Sequence, residues 1–136
     1  FAVAWLLRNL YWKEKFAELF RDKITFFSEL PAKVDSIFST EKPDDAEFLE
    51  IQAKESTRVI REFIKEKLLV LQQEGANNIL EKVLEGWMNE VKESKGIKGK
   101  DLFMGFRAEL TGAVHGPDLK KIMELTPLEV VIKRVG

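Results

Sequence analysis

Apolar residues recur at three- and four-residue spacing along almost the whole chain, and the alternation of a half-buried strand is sustained nowhere. A chain patterned this way can bury its apolar stripes only by packing helix on helix, so the expected fold class is all-α, an irregular helical bundle of roughly seven unequal helices. No segment repeats at a fixed period, which disfavours a helical solenoid. With 136 residues, 45% of them hydrophobic and 33% charged, the chain is long enough to bury a core and too apolar to be disordered throughout.

Between 14 and 30, Phe16, Leu19, Phe20, Lys23, Phe27 and Leu30 share a broad face that Ile24 and Phe26 widen. Pro31 interrupts the hydrogen-bond ladder, and "PAKVDSIF" continues to Phe38. The polar stretch "STEKPDD" at 39–45 is the clearest boundary and ends in aspartates suited to a helix N-terminus. A long helical stretch follows, with Phe48, Ile51, Val59, Phe63, Leu68 and Leu71 as its apolar contacts and a division into two helices near 54–57. Gly75 is a C-cap candidate, with an Asn opening the next helix, in which Ile79, Val83, Leu84, Trp87, Met88 and Val91 follow helical spacing. After a basic loop at 92–100, Leu102, Phe103, Phe106 and Leu110 form a helix stopped by Thr111-Gly112. Gly116-Pro117 is expected to start another helix. The capping-box pattern Thr126-Pro127-Leu128-Glu129 opens the last one, which carries Val130, Val131 and Val135.

Without cysteine there are no disulfides or thiolate metal ligands, which suits a cytoplasmic protein. The lone His115 has no ligand set at metal spacing, no nucleophile elbow accompanies it, and "GIKGK" lacks the ending and the preceding strand of a phosphate-cradling loop. No catalytic residue and no metal is therefore expected. The opening "FAVAWLLRNLYW" is too short for a membrane span and has no basic leader or cleavage site, so no membrane contact is expected. A chain that starts without methionine inside a helical pattern reads as a piece of a longer protein.

The net charge of −1 hides an uneven distribution: residues 44–90 hold six Lys/Arg and eleven acids, whereas 91–136 hold nine and six. A negatively charged partner would meet the C-terminal part. There Lys92, Lys95, Lys98 and Lys100 alternate with glycines that would let the backbone approach a partner, a pattern that composition alone assigns rather to a flexible solvated turn. Arg107 is the sharper signal. It lies between Phe106 and Leu110 and faces the 112–117 turn, so its planar fork of donors could reach a base edge or a phosphate. The plain alternative is a surface arginine paired with Glu109 or Asp118.

The run "KGKDLFMGFRAELTGAVHGPDLKKIMEL" resembles the C-terminal signature of bacterial-type glutamyl-tRNA synthetases, in which a Gly-Lys segment precedes Pro-Leu-Arg, a Thr-Gly, a Pro-x-Leu turn and an Arg-bearing last helix. Gly99-Lys100, Arg107, Thr111-Gly112, Pro117, Leu119 and Arg134 occupy those places, and upstream Lys23, Thr25, Phe26, Glu29 and Leu30 resemble a second family motif. Gly105 stands where the family has Pro, which loosens the helix start before Arg107; Lys23 replaces Arg; Thr126-Pro127 replaces Gly-Lys.

The resemblance implies an α-helical cage that binds an anticodon. Residues 1–42 would be the tail of a first helical subdomain and 43–136 a second, with the catalytic domain upstream in the same chain. It implies a monomer that binds the anticodon loop of glutamate tRNA and needs no cofactor in this region, while the parent uses ATP with magnesium. Arg107 would hydrogen-bond an anticodon base, Pro117 and Leu119 form an apolar wall, and Gly116 allow close backbone approach. His115 would add a stacking or phosphate contact, and Lys95, Lys98 and Lys100 would meet phosphates. The competing class is a helical protein–protein adaptor using exposed aromatics of 1–27.

Overall fold

The computed structural model describes residues 11–19 and 35–136. Among them all regular structure is helical: a stretch at 11–19, a short turn at 35–38, then α1 (Ala46–Ala53), α2 (Glu55–Gln73), α3 (Glu81–Lys95), α4 (Gly99–Thr111), α5 (Leu119–Leu125) and α6 (Leu128–Val135). The expected all-α class is what the chain adopts. The motif expected at Lys23, Thr25, Phe26, Glu29 and Leu30 lies outside the described residues, as does the break at Pro31.

α4 is the central element. It packs against α1, α2, α3, α5 and α6, and its residues from Gly105 to Leu110 are all buried. The main core joins Ile60, Ile64 and Leu68 of α2, Leu84, Trp87 and Val91 of α3, and Phe106 and Leu110 of α4 to the apolar faces of α5 and α6. A smaller cluster of Phe48, Ile51, Ala108 and Val114 seats α1 on the opposite side of α4. Phe16 and Ile37, from the first 42 residues, lie in the main core. The Trp12 indole N–H donates to the Leu125 carbonyl at 2.7 Å.

The 39–45 loop ends as expected: the Asp45 carboxylate accepts from the Phe48 amide at 3.2 Å and caps α1. The long stretch does divide, at Lys54, whose extended backbone (φ −69°, ψ 142°) separates α1 from α2. Its inward stripe differs from expectation. Thr57, Ile60, Ile64, Leu68 and Leu71 are buried, while Val59 and Phe63 flank them half-buried.

Four helix starts need correction. The basic loop is short: α3 runs through Lys95 and α4 already begins at Gly99, so Lys92, Lys95 and Lys100 are helical. Gly105 therefore lies in the middle of a 13-residue helix and loosens no helix start. Pro117 precedes α5 by two residues, and Asp118 is its cap, accepting from the Lys121 amide at 3.2 Å. The capping box at 126–129 does not form. Thr126 is buried at the end of α5, so its hydroxyl turns back to the Ile122 carbonyl (2.8 Å). The first amide of α6, on Leu128, donates instead to the Asn77 carbonyl at 2.9 Å. Nor does an Asn open α3. Its cap position is Leu80, while Asn78 donates to the Glu124 carbonyl, so the α2–α3 linker ties down the α5–α6 corner.

Candidate nucleic-acid interface

α4 ends where the sequence places its stop: Gly112 adopts the left-handed conformation (φ 73°), and its amide returns to the Ala108 carbonyl at 3.0 Å. The Thr111 hydroxyl bonds the Arg107 carbonyl (2.6 Å) and accepts from the Ala113 amide (3.1 Å), which sets the direction of the bend. Arg107, one turn earlier, faces that bend. Its Nη2 donates to the Pro117 carbonyl at 2.8 Å, and a Cβ placed on Gly116 would stand 3.2 Å from its Nη1. The guanidinium stacks over the Phe103 ring, 5.2 Å from the centroid. Only 5% of Arg107 is exposed, and burial lowers its pKa from the usual arginine value while the charge of Asp118 opposes the shift. It remains a cation at neutral pH.

Arg107 is thus a clasp on the bend rather than a free surface arginine. Glu109, the partner considered for it, is taken elsewhere. That buried carboxylate accepts from Arg61 (3.0 Å) and Gln52 (2.8 Å), joining α1, α2 and α4. Arg107 still lines a cavity of about 250 Å³ with Thr111, His115, Gly116 and Pro117, walled on the other side by Ile37 and Arg134. Arg134 is buried too, its pKa lowered by burial. It donates four hydrogen bonds, to the carbonyls of Ser36, Ile37, Ser39 and Leu110 at 2.8–3.1 Å.

The remaining candidates separate. Gly116 is exposed and Pro117 half-buried at the cavity rim, whereas Leu119 is 2% exposed and belongs to the core. A base cannot lie against a side chain that the main core already covers, so of the expected apolar wall only Pro117 is accessible. His115 is largely exposed and its Nε2 stands 3.1 Å from a Glu47 carboxylate oxygen. Lys95, Lys98 and Lys100 are exposed but do not converge. Lys100 lines a small pocket with Glu47, Glu50 and Asp101, while Lys98 lines an open groove of about 760 Å³ between α3, α4 and α5.

Phe103, expected only as an apolar helix contact, is 42% exposed and joins the groove to the bend through its stack on Arg107. The signal was present in the sequence, since an aromatic and an arginine four residues apart on one helix are neighbours. Among the described residues no group of three His, Asp or Glu side chains could hold a metal ion, and no helix is long and apolar enough to cross a membrane.

Residues 2–136 match the family model described as "Anticodon binding domain". The chain is 35% identical over 122 residues to the glutamate–tRNA ligase of Finegoldia magna, covering 88% of this chain and 23% of that protein. Against glutamate–tRNA ligase 1 of Caldicellulosiruptor saccharolyticus the identity is 27%, covering 91% and 25%. Against the Bacillus subtilis glutamate–tRNA ligase it is also 27%, with the same coverage of 91% and 25%. The chain spans about a quarter of the length of the curated relatives it matches. No solved structure matches it. With a helical bundle built around a clasped bend, and a family match over nearly its whole length, the chain belongs to the anticodon binding domain family.

Proposed function

We propose that this chain is the anticodon-binding portion of a glutamate–tRNA ligase. It holds the anticodon loop of glutamate tRNA while a catalytic domain elsewhere in the same longer protein charges that tRNA with glutamate, using ATP with magnesium. The whole would act as a cytoplasmic monomer. The observation that carries this reading is the family match over residues 2–136, and the ligase relatives supply the amino acid. The division into 1–42 and 43–136 belongs to the same reading, with the polar 39–45 loop between the two parts.

The site residues offered are Arg107, Gly116, Pro117 and His115 at the bend, with Leu119 holding the bend from behind and Lys95, Lys98 and Lys100 supplying positive charge. Unstacked loop bases are read on their edges by arginine and backbone groups, and a guanidinium already oriented by one hydrogen bond and one ring stack loses little freedom on meeting a base. Its bond to the Pro117 carbonyl also keeps the bend in the shape that presents Gly116.

The test is equilibrium binding of the chain to glutamate tRNA and to an anticodon-swapped tRNA across a salt series. Affinity for the cognate tRNA should fall steeply with salt. Arg107→Ala should cost about 1–3 kcal/mol and relax the preference between the two tRNAs. Arg107→Lys should retain the salt slope yet lose the preference, because an ammonium has no planar fork. Equal binding of both tRNAs by parent and variants would overturn the site. Binding to a protein partner that ignores salt, with no tRNA affinity, would favour the adaptor.

A further inference from the structure

We infer that the open groove between α3, α4 and α5 is a second RNA subsite, which stacks one unpaired nucleobase on the outer face of Phe103 and holds the adjoining phosphates on Lys92 and Lys98. The inference rests on the proposed anticodon-binding function and extends it from the bend to the neighbouring surface.

Three observations point there. Phe103 is the one large apolar side chain of α4 that is substantially exposed; Leu102, Phe106 and Leu110 on the same helix are all buried. An exposed ring beside Met88 and Asn89 is a surface on which any base can stack. One face of that ring is taken by the Arg107 guanidinium, so a base on the other face would continue a stack that starts at the bend. The charge is also suited to a phosphate chain. Lys92 and Lys98 line the groove and make no ion pair among the described residues, and the groove's one carboxylate, Glu85, is neutralised by Lys120 at 2.6 Å. An acidic peptide would find the same lysines, but the exposed ring continuing the arginine stack favours a nucleotide.

The occupant is single-stranded RNA next to the bases read at the bend. Stacking is indifferent to base identity, so the groove should add affinity without adding preference, unlike Arg107. The test uses the anticodon stem–loop of glutamate tRNA and the chain itself. Phe103→Ala should weaken binding about tenfold for cognate and anticodon-swapped loops alike, and Phe103→Tyr should restore most of it. Lys92→Gln combined with Lys98→Gln should lower the slope of log affinity against log salt by about 1.4. Phe103→Trp should add an emission component that the RNA quenches, read against the parent's own tryptophans.

All three positions are exposed, and thermal melts by circular dichroism check the fold. Were Phe103→Ala unstable, the lysine pair and the tryptophan signal would still decide. If these variants bind with the parent's affinity and slope while Arg107→Ala loses its preference, the groove is not a subsite and the anticodon reading survives. If Phe103→Ala changes base preference as Arg107→Ala does, with no quenching of the tryptophan, Phe103 only positions Arg107 and the inference fails. If the parent binds no stem–loop at low salt, both readings fall.

Discussion

Gly105 is set by the residue above it. A Cβ there would stand 2.6 Å from Cδ1 of Ile60, which is fully buried in the main core. Gly105→Ala should gain about 1 kcal/mol of helix propensity. It should lose more than that by overpacking, for a net destabilisation of roughly 1 kcal/mol in urea unfolding. Ile60→Val removes the clashing methyl, so the double variant should be more stable than the sum of the two single changes predicts, by at least about 1 kcal/mol. Strict additivity would show that the two groups do not meet. Arg107 carries a related lesson. Its spacing and its facing toward the turn were legible in the sequence, but its confinement was not, because the Pro117 carbonyl that it clasps becomes a partner only when the bend closes.

Helix by helix, two boundaries set by a local interaction were legible, one set by a distant partner was not, and α5 has a local cap other than the one expected. Asp45 caps α1 and Gly112 ends α4 through contacts within a few residues of each. The start of α6 depends on Asn77, some fifty positions away, and Thr126 abandons its cap role because burial makes its nearest carbonyl the better acceptor. At α5 the local solution is Asp118 rather than the proline. Asp118→Ala should cost about 1 kcal/mol of stability in denaturant unfolding. Asp118→Asn should cost less, since the amide oxygen can still accept from Lys121. If the alanine variant unfolds at the parent's midpoint, the cap contributes nothing.

Across the molecule, Arg134 ties the last helix to the 36–39 segment and to the end of α4. One guanidinium on the last helix serves three carbonyls of the 36–39 segment and the carbonyl of Leu110, almost a hundred positions apart in sequence for the former. Arg134→Met would leave those acceptors without their donor in a buried setting, and unfolding experiments should show a loss of roughly 3 kcal/mol. Arg134→Lys should recover only part of it, because an ammonium cannot match the spread of the fork. A methionine variant as stable as the parent would mean that water replaces the donors at no cost. By itself, the sequence determined the helical class, the division at Lys54, the loop at 39–45 and the stop at Gly112, since spacing, capping and left-handed glycine are local physics. The tertiary structure alone decided that Arg107 is clasped, that Leu119 is core and Phe103 surface, and that Glu109 belongs to Arg61. Each of those outcomes depends on which groups packing brings within hydrogen-bond or van der Waals reach, and apolar spacing along one helix does not encode the neighbour on another.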